Sequence, residues 1–363
     1  MKKKIFLITV CLLLSSFVVS AIAAGDSRDP LISLSYLTDT FTKSLERQIN
    51  KKLDESDEEL LSGIDSDASV ETSIAENWTE TRLKAQDILA ASTGTNVMVL
   101  AGNVTVSFTS GTVVDVTTGS TVVSDTALTA NHRYMVAEDT EALFTVTSKT
   151  AVVDYQGAYE FIYSDAVDYN AIAGALKTMN LFKGSFTGYG QGYDLEVAPT
   201  RLQALIMFIR VLGEEEAALA YTGSTHFDDI AKGTQAEKYV GYAYSMGYTN
   251  GYSATTFRPS QAIPVNQYME FVLRALGYSD AATSNLSTTM ARALESGVIT
   301  SGEFDMLQGG TFLRADLAYI SYYALDTQVA GTRNTLKNAL QDRGVFTASD
   351  ARAAARMIPS SRK

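Results

Sequence analysis

The 363-residue sequence contains one cysteine, two histidines and five prolines. The cysteine, Cys11, lies in an N-terminal apolar run that we expect to be removed, which excludes disulfides, thiol nucleophiles and thiolate metal sites from the mature chain. The histidines, His132 and His226, are far apart and neither has a zinc-binding spacing. A nucleophile-elbow motif, a phosphate-binding loop and a dinucleotide-binding glycine fingerprint are also absent. We therefore predict a protein that is not an enzyme and has no metal or cofactor.

Basic residues are outnumbered by acidic ones, 29 to 41, which gives a net charge of −12. Because nucleic-acid binding is driven by clustered Lys and Arg, we expect no nucleic-acid partner. A hydrophobic content of 46% indicates a packed core rather than wholesale disorder. Acidic runs such as Asp228-Asp229 and Glu214 to Glu216 are interpreted as solvated surface, since a glycosidase needs two carboxyls facing a cleft at a fixed separation.

The N-terminus has the layout of a secretory signal peptide. Three lysines follow Met1, Ile5 to Val19 is apolar, and small residues end the segment at Ala24. The apolar run falls short of the roughly 20 residues that span a bilayer, and no second long apolar run follows. We predict a signal peptide at residues 1–24, secretion, and no membrane span after cleavage.

Residues 25–93 are predicted to be a helical N-terminal segment with a linker. From 33 to 61, apolar residues recur at steps of three and four, which indicates an amphipathic helix: Leu34, Leu37, Phe41, Leu45, Ile49 and Leu53. Since one helix cannot bury this stripe alone, it packs either on the rest of the chain or on a partner helix. The second alternative implies self-association through residues 33–61. A linker and a short helix from about Glu80 to Ala91 are expected next.

The composition changes at Asn96 to Val, Thr and Ser with regularly spaced glycines. Apolar and polar residues alternate in Val104–Phe108 and in Val113–Val116, which is typical of half-buried strands. We predict a small all-β domain at residues 94–165, an antiparallel β-roll or sandwich of about six to eight strands.

The helical period returns at Asp168 together with an internal repeat. Arg201–Leu212, followed by a glycine, is matched 64 residues later by Val265–Leu276, also followed by a glycine, and a third copy begins at Leu313. A shorter helix with a glycine turn precedes each copy. The pattern predicts a helix–loop–helix unit repeated three times and packed as one all-α domain. The predicted bounds are about 166–225, 226–282 and 283–350 within a domain at 166–350, with a C-terminal tail at 351–363.

These repeats resemble the S-layer homology family. The second copy carries the family's Phe-x-Asp-aliphatic element in Phe227–Ile230 and its Phe-x-Pro element in Phe257–Pro259. The resemblance covers about residues 166–350 and implies a three-pronged pseudo-trimer. For the whole chain it gives an α+β multidomain fold with an N-terminal amphipathic helix, a small β-roll or sandwich and the C-terminal repeats. The implied partner is an anionic secondary cell-wall polysaccharide, often capped by a pyruvylated sugar, or another peptidoglycan-linked polymer.

The family's Thr-Arg-Ala-Glu-like motif implies the ligand-binding residues. The first copy keeps Arg201 and the third keeps Arg314, whereas the second has Val265 in that place. An arginine fork can meet a carboxylate through two parallel hydrogen bonds, and the start of a helix adds free N–H groups. The alternative is an arginine that pairs with a nearby carboxylate for structural reasons. The other motif residues of the implied site are Thr200, Gln203 and Asp316.

Tyrosines are concentrated in the second copy, and their role has two interpretations. Aromatic faces can stack on sugars, but helical spacing is also typical of tyrosines that pack in a core. The residues concerned are Tyr239, Tyr242, Tyr244, Tyr248 and Tyr252.

The resemblance implies a non-catalytic cell-surface protein, anchored non-covalently to the cell wall. One alternative is a structural subunit of a surface layer or appendage that assembles through the N-terminal helix. Another is a wall-active hydrolase with its catalytic residues in the β-region, although about 70 residues is small for a hydrolase domain.

The signal-peptide interpretation predicts where the mature chain begins. We expect the protein isolated from cells to start near Gly25, because the small residues before it suit signal peptidase. Edman sequencing of the cell-derived protein measures this directly, and a chain that still begins with Met1 would contradict the prediction.

Overall fold

Alternating apolar residues form an antiparallel sheet in the first half of the computed structural model, and helices follow. The structure describes residues 73–184, 194–280 and 284–363. The predicted signal peptide and the predicted helix at 33–61 lie outside the described residues. The sheet and the helices have separate hydrophobic cores but belong to one compact unit that begins at Thr72.

The described part of the chain contains ten strands, and every neighbouring pair is antiparallel. They are β1 (Ser73–Lys84), β2 (Ile88–Ser92), β3 (Asn96–Ala101), β4 (Val104–Ser107), β5 (Thr112–Asp115), β6 (Ser120–Val122), β7 (Thr126–Ala127), β8 (Arg133–Ala137), β9 (Glu141–Val146) and β10 (Thr150–Ile162). Their order is β6-β5-β8-β3-β10-β2-β9-β4-β7, with β1 also paired to β10. Alternate side chains point to opposite faces of a strand, so residues such as Val104 and Val106 of β4 are buried in one core.

The long strand β10 organises the sheet, because it pairs with three other strands. Its first part pairs with β1 and β3, and its last residues pair with β2, where Phe161 lies opposite Leu89. The change of partner occurs around Gly157, which has a φ of +127°. A Cβ at this position would lie 2.7 Å from the Cα of Thr95 in the turn between β2 and β3, so the close approach of this turn to β10 requires glycine.

The predicted short helix from Glu80 to Ala91 is wrong, since these residues lie in β1, a turn and β2. The apolar pair behind that prediction, Leu83 and Leu89, is buried in the sheet core. Both strands pair with β10, a distant segment that local periodicity cannot reveal. Among the described residues, the β-region therefore extends from Ser73 rather than from residue 94, and it has ten strands there rather than six to eight.

Ten helices follow in the described residues. They are α1 (Tyr169–Thr178), α2 (Arg201–Val211), α3 (Glu215–Ala220), α4 (Gln235–Ser245), α5 (Val265–Ala275), α6 (Thr289–Glu295), α7 (Ser301–Gln308), α8 (Arg314–Ala324), α9 (Leu336–Asp342) and α10 (Ala348–Arg356). Within the described ranges, no helix is both long enough and apolar enough to cross a membrane.

The helices α2, α5 and α8, each of 11 residues, contact one another at the centre of the helical region. Tyr268 of α5 is fully buried there, with its hydroxyl 2.7 Å from the Oγ of Ser321 on α8. Its ring meets Phe208 of α2 edge to face, at 6.2 Å between centroids. Three other helices cover this centre: α4 packs on α2, α6 on α5 and α1 on α8.

The C-terminal residues do not form the tail predicted at 351–363. They include most of α10, which packs on α1 and buries Ala354. Arg362 then donates two hydrogen bonds to the buried carboxylate of Glu303, at 2.7 and 2.8 Å. The alanine-rich sequence of α10 favours a helix. The ion pair between Arg362 and Glu303 then holds the residues after α10 against the helical region.

Part of the acidic run at 214–216 is not the solvated surface that was predicted. Glu214 accepts hydrogen bonds from the hydroxyls of Tyr242 and Tyr248, at 3.1 and 2.9 Å. Glu215 accepts hydrogen bonds from Tyr239 and Arg210, at 2.8 and 2.7 Å. Tyr239 and Tyr242 thus hold α4 against the start of α3, and Tyr248 holds the residues just after α4 there, as the packing interpretation predicts.

An ion pair between Lys149 and Asp316 joins the sheet to the helices. Lys149 precedes β10, whereas Asp316 lies in the first turn of α8 and is 1% exposed. The other carboxylate oxygen of Asp316 accepts a hydrogen bond from the backbone N–H of Leu313, at 3.0 Å. Because a buried carboxylate without a counter-charge is costly, Lys149 stabilises the junction of the two regions.

This junction predicts the effect of Lys149→Ala. The free energy of unfolding should fall by about 1–3 kcal/mol, because Asp316 loses its cation and stays buried. Urea titration followed by circular dichroism measures the change. Lys232→Ala, an exposed lysine, is the matched control and should have little effect. Equal stability of both variants would show that the ion pair does not stabilise the junction.

The interactions of Glu215 predict a dependence of stability on pH. Burial raises the pKa of Glu215, but hydrogen bonds from Lys183, Arg210 and Tyr239 outweigh burial and lower the pKa to about 2. A carboxyl with a lowered folded-state pKa stabilises the fold above its unfolded pKa, and this contribution is lost as the pH falls through the folded value. Glu215→Gln should therefore destabilise by about 1–3 kcal/mol at pH 7.

The loss should shrink between about pH 4.5 and pH 2, because the carboxyl is protonated below about pH 4.5 in the unfolded parent but only near pH 2 in the folded parent. Denaturant titrations at several pH values test this, with Glu216→Gln, an exposed neighbour, as the control. A deficit of constant size across that pH range would rule out the charge of Glu215 as its cause.

Candidate functional site

The start of α2 is fixed by two neighbouring side chains. Thr200 is extended, with φ of −71° and ψ of 161°, and its hydroxyl accepts a hydrogen bond from the N–H of Gln203 at 3.3 Å. In return, Oε1 of Gln203 accepts from the N–H of Thr200 at 3.0 Å. This capping box begins the helix at Arg201. Two of the predicted ligand residues, Thr200 and Gln203, are thus engaged in capping.

Arg201 points from this helix start into a cavity of about 340 Å³. Its side chain is 5% exposed and donates hydrogen bonds to Oε1 of Gln267, at 2.6 Å, and to the carbonyl of Gly251, at 3.1 Å. The guanidinium also lies 5.0 Å from the ring centre of Phe257 and 5.3 Å from that of Phe271. The aromatic faces and carbonyl oxygens stabilise the buried cation.

Gly251 lines this cavity, and its backbone lies close to the ring of Phe227. Its φ is +86°, and a Cβ there would lie 2.4 Å from a ring carbon of Phe227. Only glycine fits this position in the loop after α4. The glycine thereby allows the loop to place its carbonyl oxygen where Arg201 donates to it. Tyr252 follows at the rim of the cavity, 45% exposed, with Arg258 stacked 3.6 Å from its ring centre.

Arg201 forms no ion pair with any described carboxylate, and its Nε is buried without a hydrogen-bond partner among the described residues. Burial lowers the pKa of Arg201 to about 10, and the charge of Arg274 adds to this lowering. The group therefore stays protonated at neutral pH. Arg274 lines the same cavity, and its Nη1 is likewise buried without a partner in the described part of the chain.

One carboxylate, Glu270, balances part of this charge. It accepts from Nε of Arg274 at 3.2 Å and from Nη2 of Arg292 at 2.7 Å. Burial raises the pKa of Glu270, but hydrogen bonds led by those from Ser279 and Thr289 outweigh burial and keep the pKa lowered. Arg274 and Arg292 thus share the ionised carboxylate of Glu270, and Arg201 adds a third guanidinium that has no described carboxylate partner. The cavity has an excess of positive charge and unpaired donors, which suits an anion.

The two other predicted ligand residues lie elsewhere. Nη1 of Arg314 donates to Asp194 at 2.9 Å, and burial lowers the pKa of Arg314 while the charge of Asp194 partly offsets the lowering. Asp316 is paired with Lys149, as described above. Arg314 therefore has the structural environment that was the alternative interpretation, whereas Arg201 does not.

Sequence reasoning did not assign Arg274, Gln267 or Gly251 to the site. The 64-residue repeat could have drawn attention to two of them, because it aligns Gln267 and Arg274 with Gln203 and Arg210. However, the contacts cross from the first copy to the second, and the alignment of copies does not indicate this. For metals, the described residues contain no group of three or more His, Cys, Asp or Glu side chains that could hold an ion.

Comparison with known proteins gives a family match for one segment that lines this cavity. Residues 226–263, which include Gly251, Tyr252 and Phe257, match the S-layer homology domain family. The chain therefore contains one S-layer homology domain. A "Cell surface protein" of Thermoanaerobacter kivui is 30% identical over 135 residues, which are 37% of this chain and 17% of that protein. The chain thus aligns with under a fifth of that relative's length.

Two solved structures align with a part of the chain. Recombinant pro-11S globulin of pumpkin covers 31% of this chain and 37% of its own, with 7% identity and a TM-score of 0.16. The coconut allergen cocosin covers 30% and 36%, with 11% identity and a TM-score of 0.15. Scores this low establish no common fold.

Proposed function

We propose that this protein is non-catalytic and is held non-covalently at the bacterial cell wall, where the Arg201 cavity binds an anionic unit of a secondary cell-wall polysaccharide. The observation that carries the proposal is the burial of Arg201 without a carboxylate, beside a second arginine with an unpaired donor. The S-layer homology domain forms part of the cavity wall. The relative from T. kivui is named a cell surface protein, which supports the same location.

The proposal includes three S-layer-homology-type repeats arranged as a pseudo-trimer. Its support is the mutual contact of α2, α5 and α8, each 11 residues long. The first helix of each proposed repeat packs on the central helix of the preceding one in cyclic order, since α4 packs on α2, α6 on α5, and α1 on α8. The starts of two central helices also contact the next repeat in cyclic order. The backbone N–H of Arg201 donates to the carbonyl of Gln261, and that of Arg314 donates to the carbonyl of Val197.

A carboxylate is the anion that the cavity suits best. Guanidinium donors at Arg201 and Arg274 can both be satisfied by one carboxylate, which has two oxygens and several lone pairs. The sugar that bears this carboxylate can contact Tyr252 at the rim, because the apolar ring carbons of a sugar pack well on an aromatic face. The ketal carboxylate of a pyruvylated sugar and a uronic acid both meet this description.

The acidic composition does not prevent such binding. The chain carries −12 in all, but exposed charges more than about 10 Å away are screened at 0.1 M salt. Buried guanidiniums are screened much less, so the cavity attracts an anion over short distances. The anchor is therefore expected to be selective for carboxylate groups that enter the cavity, rather than for polyanions in general.

The proposal predicts that wall binding depends on Arg201. Arg201→Met should weaken pull-down by purified walls about ten- to a hundredfold, because a charge-assisted hydrogen bond contributes roughly 1.5–3 kcal/mol. Arg201→Lys should recover only part of this, since a point charge cannot replace the fork. Arg314→Met should weaken binding less, because that arginine is paired with Asp194.

Arg352→Met, at an exposed position on α10, is the charge-matched control and should bind like the parent. Circular dichroism and thermal unfolding must show that Arg201→Met is folded at the assay temperature. Walls stripped chemically of polysaccharide should bind none of the proteins. If folded Arg201→Met binds intact walls as tightly as the parent, the cavity is not the anchor site.

A further inference from the structure

One carboxylate lies in the wall of the Arg201 cavity. The described residues that line the cavity include three charged side chains, those of Arg201, Arg274 and Glu270. Glu270 is 4% exposed and lies on α5, four residues before Arg274. The positions equivalent to Glu270 in the other two copies of the repeat are Ile206 in α2 and Tyr319 in α8. A buried acid in the central helix is therefore particular to the second copy.

The carboxylate of Glu270 is surrounded by hydrogen-bond donors. Oε1 accepts from Nε of Arg274, at 3.2 Å, and from the hydroxyl of Ser279, at 2.5 Å. Oε2 accepts from Nη2 of Arg292, at 2.7 Å, and from the hydroxyl of Thr289, at 2.9 Å. Because a carboxylate has about four acceptor sites, these donors occupy it and fix its position in the cavity wall.

The charges of the cavity wall leave one positive charge without a counter-charge. Although burial raises the pKa of Glu270, the hydrogen bonds outweigh burial and keep the pKa lowered, so the side chain is ionised at neutral pH. It neutralises Arg274, which leaves Arg201 as the cation in excess. Arg292 contributes less, because it lies outside the described lining and its side chain is 20% exposed to water. One negative charge on a ligand therefore balances the wall.

We propose that Glu270 is a specificity-determining residue, which makes the Arg201 cavity accept a singly charged carboxylate and reject a doubly charged anion such as a phosphate monoester. This inference rests on the proposed function of the cavity. A second negative charge on the ligand finds no cation left in the wall, and a buried charge without a counter-charge is costly. The fixed charge of Glu270 also repels it, and such repulsion is strong where water is excluded.

Two sugar probes of similar size test the inference. D-Glucuronate carries one negative charge, whereas glucose 6-phosphate carries two above its second pKa of about 6. The dissociation constant of each is measured by NMR titration of the full chain. At pH 8 the parent should bind glucuronate at least about tenfold more tightly than glucose 6-phosphate. Glu270→Gln should reduce this preference at least about fivefold, because the wall gains one positive charge.

The ratio of the two affinities separates specificity from folding. The amide of Glu270→Gln would turn its N–H groups toward other donors, so the variant is expected to lose stability as well. Lost stability weakens both probes alike, whereas a lost charge changes their ratio. Glu295→Gln makes the same change of charge at an exposed position on α6, outside the described lining, and should keep the preference of the parent.

The parent alone provides a second test, which needs no variant. Glucose 6-phosphate loses one of its two charges below about pH 6, so it should bind at least about fivefold more tightly at pH 5 than at pH 8. Glucuronate keeps its single charge over this range, since carboxyls titrate below about pH 4.5. The affinity for glucuronate therefore corrects for any titration of the protein itself.

The outcomes separate this inference from the proposed function. If the parent binds glucuronate no more tightly than glucose 6-phosphate at pH 8, or if folded Glu270→Gln keeps the preference of the parent, Glu270 does not set the specificity. If Glu270→Gln does not fold, the parent decides: the gain in affinity for glucose 6-phosphate at pH 5 supports the inference, and an unchanged affinity overturns it. The proposed function is judged apart, and it fails if Arg201→Met binds intact walls like the parent, whatever the two probes show.

Discussion

The burial of the Arg201 guanidinium without a carboxylate is the constraint on which the site depends. Removing a cation from water is unfavourable unless polar groups and aromatic faces replace the lost hydration. Here Gln267 of α5, the carbonyl of Gly251 and two phenylalanine rings do so. They belong to α5 and to the loop before it, so the packing of α5 and its loop on α2 must be complete before the arginine is held in place.

The motif position of Arg201 has a different chemical role in each of the three central helices. In α8 the arginine is neutralised by Asp194, so it fastens α8 to the loop before α2. In α5 the position is Val265, and the cavity beside it has no charge among its described lining residues. In α2 the arginine lacks a carboxylate partner among the described residues, although its Nε is buried. One fold thus presents a charged and an uncharged cavity at the starts of two equivalent helices.

Several elements followed from the sequence because their causes are local. Alternating Val and Thr residues predicted β4 and β5, and the structure has strands at Val104–Ser107 and Thr112–Asp115. The apolar period followed by glycine predicted the helices that became α2 and α5. Thr200 caps the helix that begins at Arg201, and threonine is a residue type that favours this position. Each of these depends on side chains within a few residues of one another.

The amino-acid sequence by itself determined which segments are strands or helices wherever period and capping agree, and it determined where arginines begin helices. Only the tertiary structure decided that Leu83 and Leu89 lie in strands, because their partner β10 is some 70 residues away. It also decided that Arg314 meets Asp194 while Arg201 meets no described carboxylate. The reason is physical: the environment of a buried charge depends on groups from segments distant in sequence, and a local sequence pattern does not predict those tertiary contacts.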